Sequence, residues 1–180
     1  MEDIDIIVIT HEHADHFHAE SVREIVKNNP DVQIIANSAV GEKLKELHLA
    51  YTVLEGEART EINGILIEAF DCKHEEIFEE IGQVRNTGYF IDGELFYPGD
   101  SYGNPKKFVR ILALPVSGPW CKISDALRYA LLVKPVKVFP VHDGMLRAER
   151  TGVTHGIIQN VLSKNGVHFV SMNEGDEADF

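Results

Sequence analysis

The sequence predicts an α/β protein in which helices pack over a mostly buried sheet, and three observations carry that expectation. Apolar runs of strand length recur along the 180 residues. Several are continuous β-branched stretches, Ile6-Ile7-Val8-Ile9 above all, as expected of strands covered on both faces. Between these runs the apolar residues switch to helical spacing. No internal repeat, low-complexity tract or Pro/Gly-rich linker interrupts the pattern, so residues 1–180 are expected to form one domain.

Taken in order, the first strand is expected over residues 4–10. Val22, Ile25 and Val26 then share one helical face ahead of a second strand at 33–36. Val40, Leu44 and Leu47 make the next helix, with Ser38 where an N-cap is wanted. Strands follow at 65–70, 87–91 and 95–97, and Asp92-Gly93 between the last two is a hairpin signal. After a strand at 111–115 comes the stripe Ile123, Ala126, Leu127, Ala130, Leu131, capped at Ser124 and ended by Pro135. A strand at 136–141, a helix through Ile157, Ile158, Val161 and Leu162 with Thr154 as its cap, and a strand at 167–171 complete the chain.

Composition narrows the function. Hydrophobic residues at 44% and charged residues at 26% exclude disordered and fibrous classes. Seventeen basic against 29 acidic side chains give a net charge of −12, a field that repels phosphate backbones, so no nucleic-acid partner is expected. Two cysteines, Cys72 and Cys121, make no disulfide framework and fit a reducing compartment. The start Met1-Glu2-Asp3 lacks the basic end of a signal peptide, and no apolar run reaches the roughly 18 residues of a membrane span. A cytoplasmic protein without a membrane partner is the expectation.

Nine histidines are the unusual count, and their placement carries the chemistry. Thr10-His11-Glu12-His13-Ala14-Asp15-His16 follows the first strand and precedes a helix. No single helix or strand face displays all four of His11, His13, Asp15 and His16, so the run is expected to curl around something central. Imidazoles and a carboxylate at that density suit a divalent ion such as zinc. The zincin pattern H-E-x-x-H does not apply, because its second histidine would stand where this chain has Asp15. Further candidates fall just past other predicted strands: His74 after 65–70, Asp100 after 95–97, and His142 directly after 136–141. Ligand-binding groups of layered α/β folds collect at such strand ends.

The set His11, His13, Asp15, His16, His74, Asp100 and His142 resembles that of the metallo-β-lactamase superfamily of binuclear metallohydrolases. Asn86-Thr87-Gly88-Tyr89-Phe90, Tyr97-Pro98-Gly99-Asp100 and Val141-His142-Asp143-Gly144 are similar to its small bacterial members, distantly related to sugar-phosphate lactonases. The resemblance implies an αββα sandwich. It implies that His11, His13 and His74 hold one metal, that Asp15, His16 and His142 hold a second, and that Asp100 bridges both. The cofactors expected are two divalent ions, zinc foremost, with manganese or iron also accepted by such ligands. The implied activity is attack of a metal-bridging hydroxide on an ester, lactone, thioester or phosphodiester, with Asp15 orienting it and taking its proton. Two +2 ions, two carboxylates and a hydroxide sum to about +1, so a small anionic or neutral substrate is expected despite the acidic exterior.

One departure stands out. Members carry further strands before the histidine motif, and here the motif's strand begins at residue 4, so the fold is expected to lack its N-terminal strands. Either a longer native product or association of two copies around that edge is expected to cover it. The rival reading is a truncated, metal-binding but catalytically silent member. A di-iron redox relative is expected to carry glutamate at His13 and a flavin domain, and a nuclease relative a basic binding region; neither is present in this sequence.

The remaining candidates read as ordinary. His18, His48, His155 and His168 have no partner pattern, Glu12 is expected to point into solvent, and the run Glu75, Glu76, Glu79, Glu80 to be a solvated face. Trp120 either walls the pocket or covers the core, with Lys122 nearby for an anionic group. Cys72 reads as a small buried hydrophobe, and Asp143 as either an orienter of His142 or a turn residue.

Overall fold

The computed structural model describes residues 2–173 and 175–180. Among them the order of elements is β1 (Ile6–Ile9), α1 (Ala19–Asn28), β2 (Gln33–Ala36), α2 (Ser38–Glu46), β3 (Thr52–Val53), β4 (Arg59–Ile62), β5 (Ile65–Asp71), β6 (Thr87–Ile91), β7 (Leu95–Tyr97), β8 (Ile111–Pro115), α3 (Ile123–Val133), β9 (Lys137–Val141), α4 (Ala148–Ser163) and β10 (His168–Phe169). The strands form two sheets. One is the parallel set β1-β2-β3, and the other runs β10-β9-β8-β7-β6-β5-β4. In the larger sheet β4 to β7 form an antiparallel meander, and β7 to β10 are parallel.

Alternation along each strand sorts side chains into three apolar interfaces between four layers. Ile9, Ile34 and Ala36 face Val22, Val40 and Leu44 of α1 and α2. Ile35, with Ile6 and Val8, faces Ile67, Ala69 and Tyr89 of the larger sheet. Phe90, Phe96, Leu112, Leu114 and Val138 face Ala126, Ala130, Ile158 and Leu162 of α3 and α4. The layers are therefore α, β, β, α, and β2 is covered on both faces as expected, whereas β1 is not fully covered. Each Leu or Ile fully buried in these interfaces stabilises the fold by about 1.5–3 kcal/mol. Among the described residues strand β1 pairs only with β2, and its Ile6, Ile7 and Val8 are only partly covered.

Several local expectations are corrected. The N-caps are Asn37, Lys122 and Arg147, not Ser38, Ser124 and Thr154. Asn37 wins because its Oδ1 accepts from the Val40 N–H at 3.0 Å, which satisfies an otherwise orphaned helix donor. Ser124 lies inside α3 with its hydroxyl on Asp125, and Thr154 lies inside α4, which starts six residues earlier at Ala148. Strands β3 and β4 have no apolar signal, since β3 is exposed and β4 reads Arg-Thr-Glu-Ile, so only pairing defines them. Asp92-Gly93 turns as expected, with φ of 52° and 66° and Glu94 N–H on Ile91 O at 3.0 Å. Helix α3 ends at Val133 ahead of Pro135. No helix among the described residues is long and apolar enough to cross a membrane.

Candidate metal centre

The C-terminal end of β1 delivers the histidine run into a tight curl. His16 and Phe17 both donate their N–H to His13 O, at 2.9 and 2.7 Å, which folds the chain back so that the His11 and His16 rings lie 4.0 Å apart. Thr10, the last residue before the run, is buried, and its hydroxyl meets His11 Nδ1 at 3.0 Å and His16 Nδ1 at 3.3 Å. Three other strand ends converge on this curl. The segment after β5 brings His74, the Pro98-Gly99-Asp100 turn after β7 brings Asp100, and His142, a non-glycine residue with φ of 61°, directly follows β9. The curl predicted for residues 11–16 and the convergence of strand ends are both present.

Two buried asparagines tie these ends together. Asn37 Nδ2 donates to Thr10 O at 2.8 Å and to Arg85 O at 3.1 Å, so the residue that caps α2 also fixes the end of β1. Asn86 Nδ2 donates to Cys72 O at 2.7 Å and Pro98 O at 2.8 Å, while its Oδ1 accepts from the Asp100 N–H at 3.2 Å. Gly99 makes room for this: at φ +66° a Cβ would fall onto Asn86 Oδ1 and within 2.9 Å of Thr10 Cβ. No role in the site is expected for either asparagine or for Thr10 from the sequence, although Thr10 heads the histidine run and Asn86 opens one of the family-like stretches.

All seven predicted side chains gather in two adjoining groups. His11, His13, His74 and Asp100 form one and Asp15, His16 and His142 the other, with ligand-capable atoms inside each group within 4.8 Å of one another. Asp100 lies between them. Its Oδ1 is 3.0 Å from His16 Nε2, and its Oδ2 is 3.1 Å from His142 Nε2, 3.6 Å from His74 Nε2 and 3.8 Å from His11 Nε2. Asp15 Oδ2 reaches His142 Nε2 at 3.2 Å from a largely exposed position.

The donor set fits a divalent cation. His74 Nδ1 donates to Glu75 O at 2.6 Å, so its Nε2 carries the lone pair, and that atom is buried with no hydrogen-bond partner. His16 Nε2, His142 Nε2 and Asp100 Oδ1 are buried as well, and although the two nitrogens lie 3.0 and 3.1 Å from the carboxylate, neither contact has hydrogen-bond geometry. Four such atoms aimed at one spot would cost free energy without a common partner, and a metal ion is the partner that neutral imidazoles and a carboxylate share. His11 Nε2 and His13 Nδ1 face each other at 3.2 Å, which again places two ring nitrogens around one point.

Electrostatics of the metal-free protein agree. Burial, reinforced by the neighbouring His16, pushes His11 down to about 3, so it stays neutral with a free lone pair. Burial followed by His74 lowers His13 too. Burial would raise Asp100, but the imidazoles of His142, His16 and His74 outweigh it and hold the carboxyl well below the usual range. Burial would likewise lower His74 and His142, yet the adjacent Asp100 raises both.

The remaining candidates divide. Trp120, on the loop after β8, donates its indole N–H to Asp100 Oδ2 at 3.1 Å and stands beside the His142 and His74 rings, so it walls the site. Lys122 is instead the exposed N-cap of α3. Cys72 is buried against Gly88 and Gly103, as a small hydrophobe. Glu76, Glu79 and Glu80 are exposed, but Glu75 turns inward and accepts the Tyr102 N–H at 3.1 Å. His18 is exposed and pairs with Ser21 Oγ. Glu12 does not point into solvent, since its Oε2 is buried. His155 is not a bystander either, being buried and bonded to Asp143 and Ser171. Their sequence neighbourhoods carry no trace of these contacts. Tyr97, also unanticipated, lines the cleft beside Asp15 and brings its hydroxyl to 3.4 Å from His16 Nδ1.

The profile of the Beta-lactamase superfamily domain matches residues 1–142. The chain belongs to the beta-lactamase superfamily. Protein Rv0786c of Mycobacterium tuberculosis is 28% identical over 155 residues, which span 83% of this chain and 72% of that protein. The metal-dependent hydrolase MJ1163 of Methanocaldococcus jannaschii is 26% identical over 151 residues, 79% of this chain and 68% of its own length. Among solved structures, the metallo-beta-lactamase fold protein YhfI of Bacillus subtilis superposes with a TM-score of 0.70 at 14% identity, covering 96% of this chain and 76% of that one. The four-layer architecture of this beta-lactamase superfamily member is thus the metallo-β-lactamase fold.

Proposed function

We propose that this chain is a binuclear metal-dependent hydrolase acting on a small ester, lactone, thioester or phosphodiester. Metal-dependent hydrolysis is the activity class that its family and the names of its relatives support. The finer reading rests on one observation: six side chains from three strand ends surround Asp100, which comes from a fourth, and the Nε2 atoms of His16, His74 and His142 are buried there with Asp100 Oδ1 and make no hydrogen bond. In it, His11, His13 and His74 hold one ion, Asp15, His16 and His142 the other, and Asp100 serves both. Two divalent ions held there, zinc foremost, would supply Lewis acidity and would make a water acidic enough to ionise near about pH 7.

The chain's own residues do the rest. Asp15 stands at the rim of a cleft of about 420 Å³ bordered by His16, Tyr97, His142, Gly144 and Met145. Its exposed carboxylate orients the attacking water and takes its proton as the bond forms. Trp120, bonded to Asp100 Oδ2, keeps that carboxylate in one rotamer and screens one side of the centre. No Lys or Arg borders the cleft, so a neutral acyl group fits it better than a second phosphate ester arm.

Elemental analysis of the purified protein together with a panel of lactones, thioesters, carboxylic esters and phosphodiesters tests the reading. About two metals per chain and metal-dependent turnover are expected. Two metals with no turnover on any substrate would favour the catalytically silent alternative, and a metal content near zero under zinc or manganese supplementation would remove the assignment.

A further inference from the structure

We propose that His155 is a positioning residue for the His142 corner of the site, acting through Asp143. The proposal rests on the ligand reading above and concerns how one of those ligands is aimed. Three of the other imidazoles are oriented through their own Nδ1: His11 and His16 by the Thr10 hydroxyl, and His74 by Glu75 O. Among the described residues, no hydrogen bond from another side chain or from another residue's backbone reaches the Nδ1 of His142. Its ring also sits on a left-handed backbone at φ 61°, a conformation that a histidine does not hold by preference. Something outside the ring has to fix its direction.

The chain around His142 is clamped on both sides. Before it, Val141 O accepts the Val116 N–H at 3.1 Å and locks the end of β9 to β8. After it, Asp143 Oδ2 meets His155 Nε2 at 2.8 Å, and Asp143 O accepts the Leu146 N–H at 2.8 Å. His155 is itself packed and bonded at both ring nitrogens. It is 3% exposed, its ring lies 5.6 Å from that of Phe169, and its Nδ1 bonds Ser171 Oγ at 2.9 Å. Through this link the helix α4 fixes Asp143, and Asp143 fixes the peptide that aims His142 at Asp15 and Asp100.

Ser171, His155 and Asp143 also form the chain of contacts expected of a serine nucleophile and its base. That alternative lacks a substrate site. The adjacent cleft of about 270 Å³ is bordered by Asp143, Gly144, Thr151 and Asn173 among others, and Ser171 does not line it. The geometry supports a strut.

The test uses the full chain with His155→Leu, which fills the space but breaks the link, and His155→Gln, whose amide nitrogen can still donate to Asp143. Ser171→Ala is the control. The readouts are the ring resonances of His142 in the metal-free protein and the two zinc dissociation constants from chelator competition. His155→Leu should move the His142 resonances while leaving those of His11 and His74 in place, and should weaken one zinc by about 10–100-fold. His155→Gln should recover most of both effects, and Ser171→Ala should change neither. Unmoved His142 resonances, or an equal loss at both zinc sites, would overturn the proposal in favour of a merely structural histidine. If His155→Leu does not fold, Asp143→Ala, which removes the acceptor, carries the same expectations and is judged by the same outcomes. A wild-type protein that binds a single zinc, with His142 still displaced by the variant, would defeat the binuclear reading and leave the strut standing.

Discussion

Gly99 offers a sharp test of how the site is braced, because Gly93 provides a matched control. Both residues hold φ of +66°, so replacing either with alanine incurs the same backbone penalty, about 1–2 kcal/mol. At Gly93 the new methyl group meets nothing within 4 Å. At Gly99 it lands on Asn86 Oδ1, and the asparagine has to leave. Its departure breaks the bonds to Cys72 O, Pro98 O and the Asp100 N–H. Each is worth about 0.5–1.5 kcal/mol net, so Gly99→Ala should cost about 3 kcal/mol more than Gly93→Ala. For a domain of this size that excess corresponds to about 6–12 °C in Tm. Thermal melts of the two metal-free variants followed by circular dichroism measure it. Zinc content should fall in Gly99→Ala alone, since only there does the backbone under Asp100 shift. Equal melting temperatures, or equal zinc retention, would refute the argument that Asn86 needs a glycine beside it to hold Asp100.

Three further outcomes are expected. Trp120 is the only tryptophan in the sequence and its indole N–H lies 3.1 Å from Asp100 Oδ2, so zinc titrated into metal-free protein should change its fluorescence; an unchanged spectrum at full metal loading would remove Trp120 from the site. Asp100→Ala should lose at least one metal and reduce turnover by more than the roughly 10–100-fold typical of residues that only support a ligand, whereas His18→Ala should change little. Matching behaviour of those two variants would contradict the division between ligand and bystander. Glu55 has its carboxyl pKa lowered, chiefly by the Ser38 N–H at the start of α2 and then by Arg85, even though burial opposes it. Its unfolded form therefore binds a proton more readily, and its stabilising contribution is present above about pH 4.5 and lost as the pH falls through the folded value. Glu55→Gln should accordingly flatten the decline of Tm on acidification below about pH 5, and an unchanged acid slope would count against that pairing.

Much of the site is legible along the chain because its carriers are local. A β-branched run declares β1, the dense histidine motif follows it at once, Asp100 comes just past a stretch that reads as strand, and His142 directly follows another. Side-chain period alone also indicates which strands are covered on both faces, and Ile34 and Ile35 indeed point to opposite layers. The resemblance to metalloenzymes then orders seven residues that periodicity only scatters.

What the chain's linear order withholds is every contact made across it. Asn37 could be read as a cap only by weighing it against Ser38, and its second bond runs to Thr10, 27 residues earlier. Asn86 joins two backbone segments, at Cys72 and at Pro98–Asp100, 12 to 14 residues away. His155 has an unremarkable neighbourhood in sequence, and Trp120 reads equally well as core or wall until its indole finds Asp100, 20 residues away. Strands β3 and β4 exist through pairing and not through any apolar pattern. Local sequence determines which backbone conformation and which face a residue prefers, since those depend on neighbours within one turn or one pleat. The partner of a buried polar group depends on which distant segments the three apolar interfaces bring together. Only the packed layers decide that.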